Sequence, residues 1–136
     1  MLTLKGHSNG VVSVVFFPGI ERVITGSADC TARVWDARTG GQLYEIGNTG
    51  FNGCYASVSP DGSRILTTNH PYVKLWDART GDELVTLKGH AYWPHCSAFS
   101  PDGSRLATGF ETADDRRFTR WLLPGDTSTH SRTPCP

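Results

Sequence analysis

The sequence predicts an all-β protein built from about three similar four-stranded antiparallel units. Three observations predict this class. Blocks of sequence recur at a spacing of 41 residues. The apolar segments are short and have the periodicity of strands. The segments between them contain the Pro, Asp and Gly residues that favour tight turns. No helical period of useful length is present.

The repeat is recognised from identical blocks at a constant offset. Trp35–Gly40 recurs as Trp76–Gly81, and Ser59–Arg64 recurs as Ser100–Arg105, each at an offset of 41 residues. A third block, Thr3–His7, recurs after 83 residues, which is about two periods. A period of this length indicates a repeat architecture such as a solenoid or a propeller.

The strands of each unit follow in chain order. The first strand, Val11–Phe16, is apolar on both faces, as expected for a strand that lies between neighbouring sheets. Short second and third strands come next, and the alternating fourth strands are expected to be half-exposed. The predicted second strands are Arg22–Thr25, Arg64–Thr67 and Arg105–Thr108, the third are Ala32–Trp35, Val73–Trp76 and Thr119–Leu122, and the fourth are Gln42–Ile46 and Glu83–Leu87.

The 41-residue period with its Gly-His and Trp-Asp dipeptides resembles the WD40 repeat, one blade of a β-propeller. The resemblance covers about residues 1–122, and the near-identical repeats are similar to those of bacterial tandem WD40 proteins. It implies a WD40 repeat region over residues 1–123, with blades at about 7–46, 47–87 and 88–123. Residues 1–5 are expected to form an outer fourth strand, and residues 124–136 a disordered tail.

Three blades predict an incomplete ring, because closed propellers use about 4 to 8 blades. The chain begins on a predicted fourth strand, and its third repeat has strands one to three. Two hypotheses remain open. The chain is a fragment of a larger propeller, or two copies exchange strands so that residues 1–5 complete the third blade of the partner in a six-bladed dimer.

The resemblance also implies a buried polar network that links the histidine of the Gly-His pair, a hydroxyl, an aspartate and the tryptophan. A buried carboxylate needs such partners. The second repeat has His70 at the aspartate position and is expected to be the least rigid. The implied members are His7, Thr25, Asp29 and Trp35 in the first repeat, Thr67 and Trp76 in the second, and His90, Thr108, Asp115 and Trp121 in the third.

Catalytic and metal-binding alternatives are weaker. His7, Thr25 and Asp29 match the residue types of a catalytic triad, but the same spacing serves the structural network. His95 and Cys96 are adjacent in a strand and therefore point to opposite faces, which disfavours a metal site with His90. No phosphate-binding, zincin or nucleophile-elbow motif occurs. We therefore expect no enzyme activity, no cofactor and no metal.

The candidate protein-binding residues are aromatic and charged side chains in loops at one end of the predicted blades. Such residues are enriched in the centres of protein interfaces. The alternative is that Phe51 and Trp93 only cover the ends of the blades. The candidates are Phe51, His70, Tyr92, Trp93, Phe110, Glu111 and Arg116.

The composition argues against a nucleic-acid-binding, membrane-spanning or exported protein. The 13 basic residues balance the 13 acidic ones, so the basic surface of a nucleic-acid-binding protein is not expected. No apolar run is long enough to span a membrane, and Val11–Phe17 lacks the flanks of an export signal. The cysteines form no C-x-x-C pair, which favours reduced thiols in the cytoplasm. Cys54 and Cys96 are expected to be small core residues.

The sequence thus predicts a non-catalytic scaffold for protein–protein contacts. Its partners are expected to be other proteins, with a second copy of the chain as a further candidate. The alternative is a regulatory or sensor WD40 segment of a larger enzyme such as a protein kinase, in which the catalytic residues lie on other sequence.

Overall fold

The computed structural model describes residues 1–47, 51–70, 72–87, 94–111, 116–122 and 131–134. All regular structure in these residues is β-strand. The strands are β1 (Val11–Phe16), β2 (Arg22–Ser27), β3 (Ala32–Asp36), β4 (Gln42–Ile46), β5 (Phe51–Val58), β6 (Arg64–His70), β7 (Tyr72–Asp77), β8 (Glu83–Leu87), β9 (Pro94–Phe99), β10 (Arg105–Glu111), β11 (Arg116–Leu122) and β12 (Ser131–Pro134).

The strands form three four-stranded antiparallel sheets, each in chain order: β1 to β4, β5 to β8 and β9 to β12. We call these the first, second and third sheets. The prediction of an all-β protein with about three four-stranded blades is confirmed. The second strands are longer than expected, because each continues past its buried threonine toward the connection with the third strand.

The repeated Ser-Pro-Asp-Gly-Ser-Arg blocks form the turns between first and second strands. In the second sheet the Asp61 carboxylate accepts hydrogen bonds from the Ser59 hydroxyl at 2.7 Å and from the Ser63 amide at 3.0 Å. Gly62 has a φ of 74°, a conformation that favours glycine. The same contacts recur around Asp102 in the third sheet, so identical sequence produces identical turns.

The second sheet lies between the other two. One buried cluster joins the first and second sheets and includes Ile24, Val34, Ala56 and Ile65. A smaller cluster contains Leu66, Val73 and Leu75 of the second sheet with Leu106 of the third, and Phe99 packs against it. The core therefore lies between the sheets, as it does between the blades of a propeller.

The chain ends differ from the prediction. Ser131–Pro134 form β12, which pairs with β11, so the expected disorder of residues 124–136 is wrong for these four residues. Residues 1–7 form no strand. The prediction that residues 1–5 form an outer fourth strand is corrected for a physical reason: β4, β8 and β12 already occupy the outer edges of β3, β7 and β11.

The two cysteines that were predicted to be core residues differ. Cys54 is buried between the first and second sheets, as expected, and burial raises the pKa of its thiol to about 12. Cys96 is exposed, which contradicts the prediction. Cys96 lies on the face of the third sheet that points away from the second, where the described residues include no further sheet.

Candidate protein-interaction site

The polar network predicted for the first repeat is assembled around His7. Its Nε2 lies 2.7 Å from Thr25 Oγ1, and its Nδ1 lies 2.8 Å from Asp29 Oδ2. Trp35 Nε1 donates a hydrogen bond of 2.8 Å to the same Thr25 oxygen. The histidine ring also lies edge-on to the Trp35 ring. The four residues therefore connect the N-terminal segment, β2, β3 and the turn between these two strands.

Asp29 secures the turn between β2 and β3. Its Oδ1 accepts hydrogen bonds from the Thr31 amide at 2.9 Å and the Thr31 hydroxyl at 2.6 Å, and its Oδ2 accepts from the Ser8 amide at 3.0 Å. Burial raises the pKa of Asp29, but the hydrogen bonds from Thr31, His7 and Ser8 outweigh that effect and hold the pKa well below its usual range. The carboxylate is therefore charged at neutral pH.

The distances match those of a hydroxyl, a base and an acid in a catalytic triad, but the surroundings do not suit catalysis. Thr25 is only 4% exposed, and its oxygen is already bonded to the Trp35 indole. A nucleophile must reach a substrate carbon. The arrangement favours the structural role, in which each buried polar group has a partner.

The other two repeats retain parts of this network. In the second sheet Trp76 Nε1 donates to Thr67 Oγ1 over 2.8 Å, and Thr67 is buried. In the third sheet Thr108 is fully buried in β10, and Trp121 lies in β11 opposite Leu106. His90 and Asp115 lie outside the described residues.

The predicted binding residues lie at one end of the sheets. We define the network end as the end at which second strands connect to third strands; in the first sheet it holds His7 and Asp29. The candidates that the structure describes lie at strand ends rather than in loops, because the strands are longer than expected. Phe51 pairs with His70, Glu111 pairs with Arg116, and Phe110 pairs with Arg117. Tyr92 and Trp93 lie outside the described residues.

Sequence reasoning missed Tyr72 at the network end. This residue begins β7 opposite Asn69, and its side chain is 39% exposed. The Lys74 ammonium lies 5.6 Å from the centre of its ring, close enough for a cation–π contact. The signal in the sequence was an aromatic residue directly after Pro71, next to the predicted connection between second and third strands.

A cleft opens at the opposite end, between the first and second sheets. It has a volume of about 430 Å³, and its lining includes Phe17, Ile20, Arg22, Asp77 and Arg79. Nearby, the Tyr44 hydroxyl donates a hydrogen bond to the carbonyl oxygen of Ala78 in the neighbouring sheet. This cleft mixes both signs of charge, and no sequence motif pointed to it.

Within the part of the chain that the structure describes, no group of three or more His, Cys, Asp or Glu side chains could hold a metal ion. The same residues include no helix of the length and apolar character needed to cross a membrane.

Known proteins resemble segments of this chain. The model of the family "WD domain, G-beta repeat" matches residues 1–36 and 81–121. THO complex subunit 6 of Arabidopsis thaliana is 43% identical over 47 residues, 35% of this chain and 13% of that protein. The guanine nucleotide-binding protein subunit beta of the same plant is 44% identical over 59 residues, 42% of this chain and 16% of the relative.

A ribosome biogenesis protein of Phaeosphaeria nodorum, YTM1, is 45% identical over 49 residues, 33% of this chain and 10% of that protein. The chain thus spans less than a fifth of the length of these relatives. The two segments that match the family model together exceed half of the chain, and they contain the His7–Asp29–Thr25–Trp35 network. The chain belongs to the WD40 repeat family.

Proposed function

We propose that the protein is a non-catalytic scaffold that binds other proteins at the network end of its sheets. The observation that carries this proposal is the exposure of Tyr72 at the start of β7. The next residue, Val73, and the cross-strand partner, Asn69, are both buried. A tyrosine side chain offers apolar area and a hydroxyl with little loss of conformational entropy on binding, because it has only two rotatable side-chain angles. This combination is typical of the residues that contribute most to protein interfaces.

Three relatives support a role in assemblies by their names, since one is a subunit of the THO complex, one is a G-protein β subunit and one acts in ribosome biogenesis. Membership of the family supports the absence of catalysis, and the buried position of Thr25 supports it further. We propose the cytoplasm as the location, because free cysteines are expected in a reducing compartment. Neither nucleic acid nor membrane is proposed as a partner.

Crosslinking of the purified chain to cellular proteins, followed by mass spectrometry, tests this proposal. Tyr72→Ala should abolish the crosslinks of the main partner. The matched control is Leu43→Ala, which removes an exposed apolar side chain from the outer strand β4, and it should leave them unchanged. Equal loss in both variants, or no loss with Tyr72→Ala, would contradict the proposed surface.

A second experiment tests the non-catalytic assignment. A reactive phosphonate probe that labels activated serine and threonine nucleophiles should leave the protein unlabelled, because the Thr25 oxygen is buried and bonded. Labelling that disappears in Thr25→Val or His7→Gln variants with an intact fold would overturn the assignment.

The alternative is that these repeats are a segment of a larger propeller, or the regulatory or sensor part of a larger enzyme such as a protein kinase. The small share of each relative that this chain spans favours it. Sequencing of the transcript on both sides of the reading frame separates the two cases, because only the alternative requires further repeats or a catalytic domain.

A further inference from the structure

The two faces of each sheet have different roles in packing. We call the face that packs on the sheet earlier in the chain the leading face, and the face that packs on the next sheet the trailing face. The pairing of strands identifies equivalent positions in the three sheets. In each sheet, one second-strand residue pairs on one side with the third-strand tryptophan and on the other side with a first-strand residue. That first-strand residue is Phe16 in the first sheet, Val58 in the second and Phe99 in the third. Val58 and Phe99 lie on leading faces, since each packs against the sheet before it.

Two internal interfaces show how a trailing face meets a leading face. Between the first and second sheets, Ile24 of the trailing face packs in one cluster with Ala56 and Val58 of the leading face. Between the second and third sheets, Leu66 occupies the position of Ile24, and Phe99 occupies that of Val58. The same contact pattern is therefore used twice.

The leading face of the first sheet has no sheet against it in the described structure. Its β1 row is apolar and exposed: Val12 is 40% exposed, Val14 59% and Phe16 71%. Farther along the same face, Trp35 is covered, because His7 lies beside its ring. The open part is therefore the row of β1 that corresponds to the buried Cys54 and Ala56 and the partly buried Val58 of the second sheet.

The trailing face of the third sheet is the other open half of this interface. Its described residues are small: Cys96, Ala98 and Ala107 are exposed, and Gly109 lies directly beside Cys96. Ala107 occupies the position that Ile24 and Leu66 fill in the other two sheets.

The sizes of the side chains on the two open faces are complementary. Inside the protein a large trailing residue, Ile24, meets a small leading residue, Ala56. On the open faces the order is reversed at one position, because Val14 is larger than the equivalent Ala56 and Ser97. Ala107 is small where Ile24 and Leu66 are large, and Phe16 has the size of the equivalent Phe99. Close-packed interfaces require that total volume be conserved across the contact.

We propose that the occupant of each open face is the opposite open face of a second copy of this chain. The Val12, Val14 and Phe16 row of one copy packs on the Ala98 and Ala107 face of the other, and two copies joined in this way at both ends form one ring of six sheets. Six lies within the range of about 4 to 8 blades in which propellers close. This contact uses sheet faces and goes beyond the scaffold role, which rests on the network end.

Sedimentation velocity of the purified chain over a wide concentration range tests the proposal. The expected mass is twice the 14.8 kDa of one chain. Phe16→Lys and Ala107→Glu should each halve the mass, since each places a charge in the contact. The matched control, Leu84→Glu, changes an exposed apolar residue on the outer strand β8 and should keep the doubled mass. Because Phe16 and Ala107 are exposed, the thermal unfolding of each monomeric variant should show a cooperative fold.

A mixture of the two variants tests the orientation of the contact. A complex of one Phe16→Lys chain with one Ala107→Glu chain has one unaltered interface, and at its other interface a lysine meets a glutamate. A one-to-one complex of doubled mass should therefore reappear in the mixture. A folded wild-type monomer overturns the proposal. A dimer that is disrupted by Phe16→Lys but not by Ala107→Glu also overturns the proposal, because its contact would then join two leading faces. Masses that grow without limit overturn the closed ring. None of these outcomes affects the scaffold proposal, which Tyr72 tests.

Discussion

The Thr25 hydroxyl oxygen lies 2.8 Å from the Trp35 indole nitrogen and 2.7 Å from His7 Nε2, so one buried oxygen has two ring partners. In the described part of the second sheet, the equivalent Thr67 hydroxyl oxygen bonds to one ring, the Trp76 indole. A buried polar group that loses its partner costs about 1 to 3 kcal/mol. Thr25→Val should therefore lower the free energy of unfolding about twice as much as Thr67→Val. Urea denaturation measures both, and Thr25→Ser, which keeps the hydroxyl, is the control.

The turn of the first sheet should open less often than its counterpart in the second. Asp29 binds the amide and hydroxyl of Thr31 in the first sheet, whereas His70 occupies the aspartate position of the second repeat. We expect the Asn69 amide to exchange with deuterium faster than the equivalent Ser27 amide. Exchange at Asn69 that is as slow as at Ser27 would contradict the expectation that the second repeat is the least rigid.

Acid should destabilise the protein through its turn aspartates. The Ser59 hydroxyl, and then the amide and hydroxyl of Ser63, lower the pKa of Asp61 to about 2 from 3.8. A folded pKa below the unfolded value means that the stabilisation is complete above about pH 4 and is lost as the pH falls toward 2. Asp61→Asn should reduce the loss of unfolding free energy between pH 4 and pH 2 by less than about 1 kcal/mol, because the Asp61 carboxylate is exposed. Urea denaturation at several pH values measures the slope, and an unchanged slope would disprove the role of Asp61.

Gly26 allows the first and second sheets to approach closely. A methyl group added to it would lie 2.0 Å from the Cys54 carbonyl oxygen, which belongs to the backbone and cannot rotate away. Gly26→Ala should therefore cost at least about 1 to 3 kcal/mol, as overpacking of a core does. Gly10→Ala is the matched control, because a methyl group there meets nothing within 4 Å. Equal stability of the two variants in thermal unfolding would show that the sheets can separate at little cost.

Cys30 is the one described residue other than glycine with a positive φ, 70°. For a residue with a side chain this left-handed conformation costs about 1 kcal/mol. Cys30→Gly should raise the free energy of unfolding by about 0.5 to 1 kcal/mol. Cys30→Ala removes the thiol but keeps the strain, so it should give no such gain. A gain in the alanine variant would assign the effect to the thiol instead.

The interior of each unit could be predicted from the sequence because its local signals and its burial agree. Gln42–Ile46 and Glu83–Leu87 have the predicted bounds, since alternating residues and flanking turns both limit them. The network around His7 was also predictable, because the resemblance to the WD40 repeat places a histidine, a hydroxyl, an aspartate and a tryptophan at these positions.

The ends of the chain could not be predicted in this way. Ser131–Pro134 have the composition of a tail, and only the unpaired edge of β11 gives them a ladder partner. Cys96 resembles Cys54 in sequence, but its exposure depends on which sheet lies beside it. Tyr72 was missed for the same reason, because exposure at a sheet end depends on neighbouring strands rather than on local sequence.

The unequal sizes of residues on the two faces give the stack of sheets a direction. A sheet that was turned over would set Ile24 against another bulky row, or leave a gap where two small rows met. The order of the first two sheets is therefore set by the fit between their faces as well as by the connection that joins them.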